Sequence, residues 1–142
     1  MSLRGVIVIV CAAVSLFCAA AQAQDASCPK AAEMTHRQLM GLWRAEFEGL
    51  RQGATLLLEQ HPELKESVRG AINRNGERAE IAGDVDDGDV TLEESANGVN
   101  ISATWLGTME EGSCGRTIKG TWQGTNDAQA RGFVLRRQPG SR

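Results

Sequence analysis

Tyrosine is absent from this chain, aromatic residues make up 4% of it, and proline occurs three times in 142 residues. So few rings argue against a roomy, aromatic-lined ligand cavity. The composition is not collagen-like, and 42% hydrophobic residues are too many for a disordered tail. A basic excess is missing as well: 15 Lys and Arg stand against 18 Asp and Glu, for a net charge of −3. Phosphate-binding domains carry the opposite balance, so nucleic acid is not an expected partner. The one long apolar run lies at the N-terminus and no second follows, which excludes a multi-span membrane protein. The length suits a single core and leaves little room for a second lobe.

That apolar run reads as a secretory leader over residues 1–23. Arg4 supplies the positive start, Val6 to Ala20 is unbroken apolar and small, and Ala21-Gln22-Ala23 is an A-x-A cleavage site. The expected location is therefore periplasmic or secreted, with no stable membrane insertion after cleavage near Ala23. Cys11 and Cys18 lie inside the run, but neither is preceded by the small residue that lipid attachment requires. Cleavage removes one basic residue and takes the net charge from −3 to −4. It leaves Cys28 and Cys114, which should pair in an oxidising compartment. A bridge between them closes a loop of 86 residues. On a chain-entropy model it contributes roughly 4 to 5 kcal/mol. A catalytic thiol at Cys114 would need a base that Gly112-Ser113-Cys114-Gly115 does not supply.

Residues 24–142 are expected to form one domain, with a lead-in over 24–40 and the body over 41–138. Pro29 followed by Lys30 to Met40 suggests a short helix or helical turn. From Gly41 the apolar period becomes two. Apolar residues alternate with polar ones at Trp43, Ala45 and Phe47; at Leu56 and Leu58; at Val68, Gly70 and Ile72; at Ala79, Ile81, Gly83 and Val85; and at Val90 and Leu92. The pattern continues at Val99, Ile101, Ala103 and Trp105, then Ile118, Gly120 and Trp122, then Phe133 and Leu135. Asn75-Gly76, Asp87-Gly88 and Asn97-Gly98 are hairpin dipeptides. About eight short antiparallel strands with local turns predict an all-β, up-and-down barrel or a closely related sandwich, preceded by a short N-terminal helix. Closing the sheet removes its exposed edges. Gln60 to Lys65, with His61-Pro62, fits either a wide loop or one helical turn.

A helical turn, then G-x-W at Gly41-Leu42-Trp43, then a basic residue on the last strand at Phe133-Val134-Leu135-Arg136-Arg137, resembles the lipocalin and avidin-like (calycin) barrels. The resemblance implies that Trp43 plugs one end of the barrel with Arg136 or Arg137 packed across it. Gly120-Thr121-Trp122 is similar to the strand grammar of avidin-like proteins. With no Tyr, the lipocalin middle motif and the Tyr-bearing biotin pocket have no counterpart here.

Candidate ligand-binding residues are Trp43, Phe47, Trp105 and Trp122, on the apolar face that either lines a pocket for a small apolar ligand or fills a packed core. Scarce aromatics favour the filled core. The densest acidic stretch, Asp84 to Asp89 continuing to Glu93-Glu94, lacks the Gly that an EF-hand loop requires at its sixth position and reads as a solvated hairpin tip. Met34, His36 and Met40 do not share one helical face as a metal set would. Asn100-Ile101-Ser102 matches a glycosylation sequon placed within a strand. No G-x-S-x-G elbow, phosphate loop or H-E-x-x-H spacing occurs. The sequence thus implies no metal, no cofactor and no enzyme. It describes an exported, non-catalytic binding barrel that carries or senses a small apolar ligand. The alternative is a protein-binding module, an inhibitor or immunity-type partner of an exported enzyme, acting through loops and the Asp84 to Asp89 tip.

Overall fold

The computed structural model describes residues 28–140, so the leader expected at 1–23 lies outside the described residues. Eight antiparallel strands close into an up-and-down barrel in chain order, not a sandwich. They are β1 (Gly41–Phe47), β2 (Ala54–Gln60), β3 (Ser67–Arg74), β4 (Glu77–Asp86), β5 (Asp89–Ser95), β6 (Ala103–Met109), β7 (Thr117–Gly124) and β8 (Arg131–Arg137). β1 closes the barrel against β8, with Trp43 opposite Arg137 and Phe47 opposite Phe133. The two-residue period of the sequence produces this directly: along β1, buried and exposed residues alternate without exception.

Two turns fix the register of the central strands. Asn75-Gly76 joins β3 to β4 and Asp87-Gly88 joins β4 to β5, each with positive φ at both residues (52° and 91°, then 49° and 85°). This is the mirror-image turn whose twist matches that of the flanking strands, and Asn, Asp and Gly adopt it at least cost. Gly70 and Gly120 sit where neighbouring strands approach closely. A Cβ there would lie 1.8 Å from the Leu57 carbonyl oxygen and 2.0 Å from that of Leu106.

The link between β5 and β6 departs from the expected hairpin. Val99 and Ile101, read as apolar-face residues of a strand, lie in a loop over 96–102 and are 83% and 47% exposed. The cause is the side chain of Asn97, whose Oδ1 accepts from the backbone N–H groups of Val99 (2.9 Å) and Asn100 (2.8 Å). Those two N–H groups are thereby withdrawn from a ladder. The Asn100-Ile101-Ser102 sequon consequently lies in this loop and not within a strand. In the Gln60 to Lys65 segment, Gln60 ends β2 and the rest is loop, with the Gln60 amide donating to the carbonyls of Leu64 and Lys65.

The lead-in forms two single turns, a 3-10 turn at Ala31–Glu33 and α1 at His36–Leu39, separated by Met34 and Thr35. Thr35 caps α1, accepting from the Arg37 N–H while the Gln38 side chain accepts from the Thr35 N–H. α1 covers one end of the barrel. Leu39 is fully buried, and the Trp43 indole N–H donates to its carbonyl at 2.7 Å. Arg137 lies over the Trp43 ring, 5.6 Å from its centroid, and donates to the carbonyls of Gln38 and Met40. Arg136, the other arginine considered for this place, points outward to Glu46 at 2.8 Å. Cys28 and Cys114 are disulfide-bonded, tying the lead-in to the β6–β7 loop. No helix among the described residues is long and apolar enough to cross a membrane. Between the ends the interior is filled: Trp43, Leu56, Leu92, Trp105, Ile118 and Leu135 have no exposed surface.

Candidate functional site

The end of the barrel opposite α1 is closed by side chains rather than by a helix. Inward-facing positions of successive strands reach it together: Phe47 ends β1, Arg74 ends β3, Glu94 lies near the end of β5, Trp105 near the start of β6, and Trp122 late in β7. Three ring pairs pack here, Phe47 on Trp105 (centroids 5.3 Å apart), Phe47 on Trp122 (5.7 Å) and Trp105 on Phe133 (4.8 Å).

Under these rings sits a carboxylate. Glu94 is 2% exposed, the single charged residue that is buried among the described residues. Its Oε1 accepts from the indole N–H groups of Trp105 at 2.7 Å and Trp122 at 2.9 Å. The Arg74 guanidinium forks onto both oxygens, with Nη1 donating to Oε2 at 2.7 Å and Nη2 to Oε1. Arg74 is in turn sandwiched between Phe47 and Trp122, 5.6 Å and 5.3 Å from their ring centroids. A carboxylate accepts about four hydrogen bonds and an uncompensated buried charge is costly, so this set of donors is what makes the burial of Glu94 tolerable. No buried side-chain nitrogen or oxygen among the described residues is left without a partner.

The acidic stretch is therefore split. Glu94 faces inward, contrary to its expected place in a solvated run, whereas Asp84, Asp86, Asp87 and Asp89 are exposed. Asp86 and Asp87 border a polar hollow beside the lead-in, at the α1 end. Parity along the strands carried the signal that was missed: Glu94 continues Val90 and Leu92, and Arg74 continues Val68, Gly70 and Ile72. Two opposite charges at inward positions near the same barrel end mark a buried pair.

Above this layer is an open pocket of about 530 Å³. Phe47, Trp122 and Arg74 form its floor, Leu50 to Gly53 of the β1–β2 loop one wall, and Asn75 with Glu77 the other. Of the four residues singled out from the sequence, Phe47 and Trp122 border this pocket. Trp105 lies beneath them with no exposed surface, and Trp43 is at the far end under α1. The floor offers aromatic surface beside the Arg74 guanidinium, while Glu94 is already occupied by donors. The chain matches no family model and no curated protein.

Proposed function

We propose that this protein is an exported, disulfide-bonded barrel of the calycin type that works by binding. Its site is the mouth over Phe47 and Trp122, and its ligand has a small apolar body. The observation that carries this reading is the contrast between a barrel interior packed with fully buried side chains and the 530 Å³ pocket at the mouth, floored by two aromatic rings. The calycin type is supported by the closed eight-stranded barrel and by Arg137 over Trp43 of the Gly41-Leu42-Trp43 motif. Export is supported by the leader pattern at 1–23 and by the Cys28–Cys114 bridge. A non-catalytic role is supported by Glu94, whose oxygens are engaged by Trp105, Trp122 and Arg74 and so are not presented to a substrate as an acid or base.

The test is titration with N-phenyl-1-naphthylamine, a neutral apolar probe, read by tryptophan fluorescence. One probe per chain is expected to quench, with weaker binding in Leu50→Gln. Absence of any response at saturating probe would overturn the reading.

A second reading, a protein-binding module acting on an exported enzyme, is favoured by the loop over 96–102. It presents Val99 at 83% exposure on a backbone held by Asn97, by Ser95 Oγ donating to the Asn100 carbonyl, and by Ser102 Oγ accepting from the Ala96 N–H. A preorganised apolar tip loses little entropy on docking. Val99→Asp should weaken such a complex without changing the melting temperature, as should charge reversal at Asp86, Asp87 and Asp89 if the acidic tip contributes.

A further inference from the structure

We propose that the mouth site takes an amphipathic organic anion, its apolar body over Phe47 and Trp122 and its carboxylate between the guanidinium groups of Arg44 and Arg51. This assignment rests on the mouth being the ligand site and adds the charge of the ligand. The aromatic pocket continues over its rim into a polar hollow of about 550 Å³. Arg51, Gln52, Gly53 and Asn75 border both spaces, so one ligand can span them. The guanidinium of Arg44 lies against Gly53: a Cβ added there would sit 3.1 Å from an Arg44 terminal nitrogen.

Position separates these arginines from others on the surface: Arg37, Arg78, Arg116 and Arg131 are also exposed without an ion pair among the described residues, but Arg44 and Arg51 are the ones that border the hollow adjoining the aromatic pocket. Arg69, Lys119 and Arg136 each meet a carboxylate, Glu80, Glu110 and Glu46 respectively. Arg44 and Arg51 are exposed and, among the described residues, form no ion pair. Arg74 adds little net charge, because Glu94 matches it. No carboxylate borders the hollow that holds Arg44 and Arg51, and Glu77 touches the aromatic side alone. Asn73, also in the hollow, uses its Oδ1 to accept from the Gly76 N–H, which leaves its NH₂ to donate. In a chain of net charge −3, two uncompensated guanidiniums beside an apolar floor create a local positive potential suited to an anionic head on an apolar body.

Calorimetric titration with dodecanoate, dodecanol and acetate tests the assignment. Dodecanoate should bind about tenfold tighter than dodecanol, a modest ratio because the guanidiniums are solvated, and acetate should not bind measurably. The Arg44→Gln/Arg51→Gln double variant, altered only at exposed positions, should keep its melting temperature and bind dodecanol and dodecanoate with equal affinity. Added salt should shrink the preference in the unmodified protein. Dodecanol binding as tightly as dodecanoate, or a preference that survives the double substitution, overturns the anion assignment while the mouth site stands. Failure of both long-chain probes to bind overturns both.

Discussion

The indole of Trp105 donates to the buried carboxylate of Glu94 at 2.7 Å, and this bond holds the aromatic layer of the mouth in place from below. Removing the acceptor strands two indole N–H groups and leaves Arg74 without its counter-charge. Glu94→Ala is expected to cost about 3 to 5 kcal/mol in a denaturant titration, the range for breaking one side of a buried pair. Glu94→Gln combined with Arg74→Met keeps a carbonyl for the indoles and removes both charges. That double variant should be more stable than Glu94→Ala alone, and equal or greater loss in it would contradict the account.

Arg137 is the corresponding device at the other end. Burial and the nearby Arg116 lower its pKa from the ordinary arginine value. It spends its charge on the carbonyls of Gln38 and Met40 and on the face of Trp43. Arg137→Met should cost about 2 kcal/mol and speed amide exchange in α1, since bonds from a charged donor are lost. A base with a depressed folded-state pKa gains stability only as pH rises through that value. For an arginine this lies far above neutral, so the deficit of the variant should be the same across about pH 5 to 9.

The bridge between Cys28 and Cys114 spans 86 residues of sequence and encloses six of the eight strands, β1 to β6. Reduction, or Cys28→Ser, should lower stability by roughly 4 kcal/mol if the loss of chain restriction dominates. Unchanged melting with two titratable thiols in the native protein would argue that the pair is not bonded in solution.

Gly120 packs its α-carbon against β6, and an added Cβ would fall 2.0 Å from the Leu106 carbonyl oxygen and 2.4 Å from the Gly107 Cα. Both are backbone atoms and cannot rotate away. Gly120→Ala should therefore destabilise by about 2 kcal/mol or more, against the small gain that Gly→Ala brings at an unstrained site. A neutral or stabilised variant would show that the strands yield there.

Period-two alternation makes the barrel legible in the sequence, because each strand has one face in the core and one in water. The same alternation misled at Val99 and Ile101. Their pattern is that of a strand, but Asn97 takes the backbone N–H groups that a ladder would need. Glu94 and Arg74 were hidden for the opposite reason: a charged residue suggests solvent, and only strand parity places both inside. Of the four rings singled out, Phe47 and Trp122 border the mouth. Trp43 beneath a late basic residue was legible from Gly41-Leu42-Trp43, whereas the choice of Arg137 over Arg136 depends on α1, which supplies the carbonyls that Arg137 bonds.

Where the ligand sits is the central claim, and the three indole N–H resonances report on it separately in an ¹⁵N-edited NMR titration with dodecanoate. The Trp122 indole should shift strongly, together with the amides of Leu50 and Gly53, while the Trp43 indole, bonded to the Leu39 carbonyl beneath α1, stays where it is. A shift centred on Trp43 and Leu39 with Trp122 unmoved, or no shift at saturating ligand, would contradict it.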